Sequence, residues 1–231
     1  MLPTMNTPVA QAVRVWDLPT RLFHWTLALC VIVSIVAAKI GGNAMALHFY
    51  SGYCILSLLL FRLVWGLVGG HWSRFASFIH PPRTVLNYLR GRTRSEDQLD
   101  VGHNPLGALS VFAIIAVLLV QVSTGLVADD EIANVGPLNK LVSNALAALA
   151  TSWHKQWGQW LIFLLVATHV GAIAYYYFRK KLNLVKPMLD GDKHLPADTP
   201  ASADGWRQRV LALALALVCA GCAIAIVRLG G

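Results

Sequence analysis

Four of the chain's eight histidines fall within or at the ends of long apolar stretches: His24, His48, His154 and His169. An imidazole in hydrocarbon costs free energy unless something binds it, so such a ring marks a ligand, a relay or a hydrogen-bonded packing position. Taken singly, each reads as an interfacial or hydrogen-bonded residue. Their depths change that reading. If the first stretch begins near Leu18, His24 sits about 9 Å above its inner end at 1.5 Å per residue. His169 sits about 9 Å from Tyr175-Tyr176-Tyr177, an aromatic run of the kind that gathers at a membrane interface. His48 opens the second stretch and His154 the fourth, both on the opposite side. The set divides into an inner pair, His24 with His169, and an outer pair, His48 with His154.

Rotation agrees with depth. Fifteen residues of α-helix make four turns plus about 60°, so His154 and His169 project from roughly one face, about 22 Å apart along the axis. That leaves room for two stacked porphyrins, each iron taking two imidazoles from different helices of a bundle. Such an iron has both axial positions filled, which suits electron transfer rather than binding of oxygen or substrate. Zinc would need three or four ligands within a few ångströms. A proton relay would normally use acidic partners in the spans. None of the eleven acidic residues lies inside one. Two haems are the expectation.

Elements able to hold these residues must cross a bilayer. The chain has 231 residues, 56% hydrophobic and 13% charged, with a mean hydropathy of +0.57. That is too apolar for the surface of a soluble domain. Five stretches, near 22–40, 45–68, 106–127, 153–178 and 210–229, have the length of a spanning helix. They are continuously apolar rather than alternating, which argues against a β-barrel. The expected fold is all-α: a polytopic four-helix core binding two haems, plus a fifth C-terminal span. The expected divisions are 1–178 for the core with its N-terminal segment, 179–209 for a cytoplasmic linker, mobile over 182–207 with its three prolines, and 210–231 for the fifth span. Asp17 with Pro19, and Asn104 with Pro105, read as helix starts. Gly41-Gly42-Asn43 reads as a tight turn. A short helix is expected over 84–89, and 138–150 has helical spacing suited to the outer interface. No small-residue cleavage site stands out after the first span, which predicts its retention.

The net charge of +8 is spread over alternate loops and so needs no nucleic acid to explain it. Arg14 and Arg21 precede span one. Arg74, Arg83, Arg90, Arg92 and Arg94 follow span two, and a run from Arg179 to Arg209 precedes span five. The other side holds Lys39, Lys140, Lys155 and Arg228 beside Asp129, Asp130 and Glu131. By the positive-inside rule the N-terminus is cytoplasmic and the C-terminus external. Cys30, Cys54, Cys219 and Cys222 lie inside spans. The spacing of Cys219 and Cys222 matches a redox or zinc pair, but no second pair completes a zinc site, and small residues suit helix packing.

The segments RVWDLPTRLFHW (14–25), LHFYSGY (47–53), RLVWGLVGGHWSRFASF (62–78) and HNPLGALSV (103–111), with the WHKQWGQWL…THV helix (153–170), resemble the bacterial cytochrome b561 family. They look especially like the branch related to the cytochrome b subunits of nickel–iron hydrogenases and formate dehydrogenases. The resemblance covers residues 14–178. It implies a di-haem core exchanging electrons between the quinone pool and a partner redox protein, a periplasmic c-type cytochrome or a hydrogenase-like subunit. It also implies that His24, His48, His154 and His169 are haem ligands. Span five lies outside the matched core.

Other candidates are secondary. Arg62, in the inner half of span two, either snorkels to the interface or neutralises a haem propionate. Arg21 and Arg74 stand as similar candidates, with plain topology signalling as the alternative. His71 and His103 are candidates to approach a quinone carbonyl, with an ordinary interfacial role as the alternative. No motif for a nucleotide, flavin, iron–sulfur cluster or hydrogenase metal site occurs, so substrate chemistry is left to a partner. The second functional reading is superoxide oxidation with quinone as acceptor, without a partner. Lys140 and Lys155 would favour it by steering an anion, and the acidic residues 129–131 oppose it.

Overall fold

A computed structural model describes residues 10–92 and 99–230. Arg94, with the rest of 93–98, lies outside the described residues, as do residues 1–9 and 231. Five helices are long and apolar enough to cross a membrane, and the chain is a multi-pass membrane protein. In order the helices are α1 (Leu18–Ile40), α2 (Met45–Val68), α3 (Pro82–Leu89), α4 (Pro105–Val127), α5 (Asn144–Ser152), α6 (Gly158–Arg179), α7 (Val185–Asp190) and α8 (Trp206–Arg228). Of these, α3, α5 and α7 are too short to span.

The expected starts form for the expected reasons. Asp17 caps α1 by accepting from the Thr20 amide at 2.8 Å, and Asn104 caps α4 by accepting from the Gly107 amide at 2.8 Å. Each satisfies an amide that has no partner within the first turn. Between α1 and α2, Gly41 and Gly42 adopt φ of 71° and 52°, a conformation that costs glycine little. The two helices are therefore antiparallel neighbours.

The central helix is α2, which packs on α1, α4 and α8. In its apolar window 44% of residues are buried, against 6% for those of α1 and of the 144–179 segment that includes α6. Phe23 and Leu27 of α1, Leu59 and Trp65 of α2, Ile115 and Leu118 of α4, Ile162 of α6 and Cys219 of α8 share one core. Cys219 is buried there while Cys222 is exposed.

Two expectations change. The stretch 138–150 does not form a separate helix lying flat. Its helical part, α5, runs through a π-helical turn at Trp153–Trp157 into α6, and α5 packs against α4. The linker 182–207 is not a mobile tether. It forms α7 and a strand, β2 (Asp192–Pro196), antiparallel to β1 (Ala10–Arg14), with Ala10 opposite Pro196 and Arg14 opposite Asp192. Gly191, at φ 94°, turns the chain so that its carbonyl accepts from the Val15 and Trp16 amides at 2.9 and 3.0 Å. Arg14 pairs with Asp192 at 2.9 Å and Asp204 at 3.4 Å. The linker is thereby fastened to the entry of α1.

Candidate functional site

α6 and the π turn before it carry one histidine of each pair, and α6 packs chiefly against α4. Its partners lie on α1 and α2. The His24 and His169 ring centres are 6.3 Å apart with planes inclined at 47°. Those of His48 and His154 are 5.8 Å apart and inclined at 85°. The rings that the depth argument pairs do face one another. Among the described residues, no three His, Cys, Asp or Glu side chains converge on a metal-sized site.

These spacings fit one metal between each pair. A metal–imidazole bond of about 2 Å, plus about 1 Å from nitrogen to ring centre, puts two axial rings about 6 Å apart. The outer rings are also set in the right tautomer. Nδ1 of His48 lies 2.9 Å from the Ser34 carbonyl and 3.0 Å from its hydroxyl, and Nδ1 of His154 lies 2.8 Å from the Gln121 carbonyl. A carbonyl can only accept, so Nδ1 carries the proton and Nε2 offers its lone pair. A second hydrogen bond of this kind is what orients a ligating imidazole and raises its basicity. On the inner side, Nδ1 of His24 is buried without a partner.

The backbone leaves space beside the rings. Gly52 lies one turn beyond His48 on the same helix face, and a Cβ there would meet nothing within 4 Å. At Gly125 of α4 a Cβ would stand 2.7 Å from Cε1 of His154, so the missing side chain is what admits that ring. A flat macrocycle needs both an open strip and fixed ligands, and the residues present suit a haem.

The arginines divide. Arg62 does not snorkel: it is 2% exposed, donates to the Ser73 carbonyl at 2.9 Å and lies 4.7 Å over the Phe75 ring. Arg74 reaches Nδ1 of His71 at 3.3 Å on the surface. Arg21 donates to the Leu189 carbonyl but keeps Nε buried and unpartnered. Asp17, read from the sequence only as a cap, is a fully buried hub. Besides Thr20 it accepts from Gly70 N at 3.0 Å, Ser73 Oγ at 2.8 Å and Trp65 Nε1 at 3.3 Å.

His71 and His103 line one cavity of about 240 Å³, together with His80, Trp72 and Ser77. The sequence offered no reason to single out His80, which lies in a loop beside Pro81-Pro82. His80 Nε2 and His103 Nδ1 are both buried without partners. The His103 ring packs between Trp16 at 4.7 Å and Phe78 at 4.5 Å. Burial first, then the nearby Arg62 charge, pushes its pKa down to about 3, so this imidazole is neutral.

A multi-pass α-helical bundle with imidazoles paired at two levels, the outer pair tautomer-set, has the makings of a membrane cytochrome. Residues 15–191 match the family model described as prokaryotic cytochrome b561, and the chain belongs to that family. Membership makes it a membrane b-type cytochrome of electron transfer and implies haem b. The chain is 24% identical over 212 residues to a probable Ni/Fe-hydrogenase B-type cytochrome subunit of Bradyrhizobium diazoefficiens, covering 78% of this chain and 85% of that one. It is 26% identical over 189 residues to a probable Ni/Fe-hydrogenase 1 B-type cytochrome subunit of Escherichia coli, covering 68% and 80%. No solved structure matches the chain significantly.

Proposed function

We propose that this chain passes electrons between the quinone pool and a partner redox protein through two b-type haems, one held by His24 and His169 and one by His48 and His154. The observation that carries the reading is the facing of four rings in two pairs along one helix. A b-type haem at each pair would supply a one-electron couple, held by His24 and His169 or by His48 and His154. The chain's own work is to hold those rings. Ser34 and Gln121 carbonyls fix the outer ones. Arg21, three residues before His24, has a spare buried donor suited to a haem propionate. Arg62 and Arg74 act on the same side as positive charge.

The cavity between His71, His80 and His103 is the proposed quinone site. Two unpartnered imidazole nitrogens can hydrogen-bond a quinone carbonyl or a quinol hydroxyl, and a neutral His103 is free to accept. The proposed orientation puts this side, with the basic loops, in the cytoplasm of a bacterium, and the C-terminus in the periplasm. The partner is then a hydrogenase-like subunit or a c-type cytochrome meeting the outer end. The relatives' names favour the first. Superoxide oxidation is less favoured, because Asp129, Asp130 and Glu131 stand on the side where an anion would approach.

A reduced-minus-oxidised spectrum with haem quantification on the purified chain tests this. Two b-type haems per chain are expected, with His24→Ala removing the inner one and His154→Ala the outer one. A colourless protein, after expression with ample haem, rejects the reading. Loss of only the inner centre in His154→Ala rejects the pairing. Haem reduction by superoxide in the chain alone, with quinone as acceptor, would favour the second reading.

A further inference from the structure

We propose that Gln121 is the positioning residue for His154, acting through the π turn that carries it; this rests on His154 being a haem ligand. The turn Trp153–Trp157 is the one π-helical segment among the described residues. In it the Gly158 amide reaches back five residues to the Trp153 carbonyl rather than four to that of His154. The His154 carbonyl instead accepts from Gln121 Nε2 at 2.9 Å. The same residue's backbone carbonyl accepts from His154 Nδ1 at 2.8 Å. Gln121 therefore grips His154 twice, once by its backbone and once by its ring.

Two glycines make the grip possible. A Cβ on Gly158 would collide with Gln121 Oε1 and come within 2.9 Å of Trp153 Nε1, and a Cβ on Gly125 would crowd the imidazole itself. The amide thus sits where only a bare backbone lets it lie. Rotation gives the turn a purpose. Regular helix would leave His154 and His169 about 60° apart over fifteen residues. A turn closed by i→i+5 bonds advances less per residue and reduces that offset. Opening the turn leaves a carbonyl to be satisfied in an apolar span, and the Gln121 amide supplies the missing donor.

The test uses the intact, haem-loaded protein and reads haem count, low-spin ferric EPR g values and midpoint potential for each centre. Gln121→Met keeps the volume and removes the donor. It should shift the g values and potential of the outer centre, or lose that centre, with the inner one unchanged. Gly158→Ala should repeat the Gln121→Met result by evicting the amide. Unchanged signals in Gln121→Met would overturn the inference, as would equal loss of both centres, which marks a general folding role. Wild-type protein without haem would overturn the reading beneath it as well.

Discussion

Asp17 has 0% exposure and four separate donors aimed at its carboxylate. Replacing it with alanine strands the Trp65 indole, the Ser73 hydroxyl and two backbone amides in a buried place. Each orphaned group costs about 1–3 kcal/mol, so Asp17→Ala should lose at least about 3 kcal/mol against urea unfolding in detergent. Asp17→Asn, which still accepts, should lose less. His103 makes a pH prediction. Its folded pKa is pushed down to about 3 by burial and by Arg62, below the about 6.5 of an unfolded histidine. Between these values the unfolded chain binds the extra proton, so the stability that neutral His103 supports is complete above about 6.5 and drains as pH falls toward about 3. His103→Asn should flatten that part of the unfolding-versus-pH curve. An unchanged slope would assign the acid sensitivity to another group.

The elements show which parts of the fold are written in residue types. α1 and α4 begin where Asp17-Leu18-Pro19 and Asn104-Pro105 say they should, because a cap is a local event between a side chain and an amide three residues on. The π turn at Trp153–Trp157 was not legible. An i→i+5 bond differs from an i→i+4 bond only in which carbonyl is chosen, and here that choice is supported from α4 by Gln121. The strand pairing of Ala10–Arg14 with Asp192–Pro196 was missed for a related reason: its partners lie some 180 residues apart, and a polar, proline-bearing stretch looks the same whether paired or free. The histidines were legible because polar rings stand out against apolar runs. Gln121, the sole amide side chain in 105–127, carries the same signal. Packing between elements also yields a prediction. A Cβ on Gly66 of α2 would run into the Phe75 ring, which itself lies under the Arg62 guanidinium. Alanine is the better helix former by about 1 kcal/mol, yet forcing a methyl into a filled site costs about 1–3 kcal/mol. Gly66→Ala should therefore lower the melting temperature in detergent rather than raise it.

At the scale of the molecule, three spans carry the paired histidines and two, α4 and α8, carry none. α8 packs mainly on α2, burying Ala212, Cys219 and Ala223, while the paired rings come from α1, α2 and the α6 segment. The linker before α8 is anchored independently of it. Asp204 accepts from the Leu18 amide at 3.0 Å, and Ser202 donates to the Val15 carbonyl at 2.7 Å. A chain ended after Gly205 keeps those contacts and gives up the Asp204–Arg209 pair and the contact of α8 with α2 and, to a lesser extent, α1. In a membrane that contact is replaced by lipid tails as apolar as the lost side chains, so its loss removes close packing rather than hydrophobic burial. The truncated protein should accordingly retain both haems per chain with unaltered spectra and midpoint potentials, and unfold at a lower temperature. Loss of either haem would show instead that α8 holds α2 in the rotation that aims His48, and would make the fifth span part of the electron-transfer core.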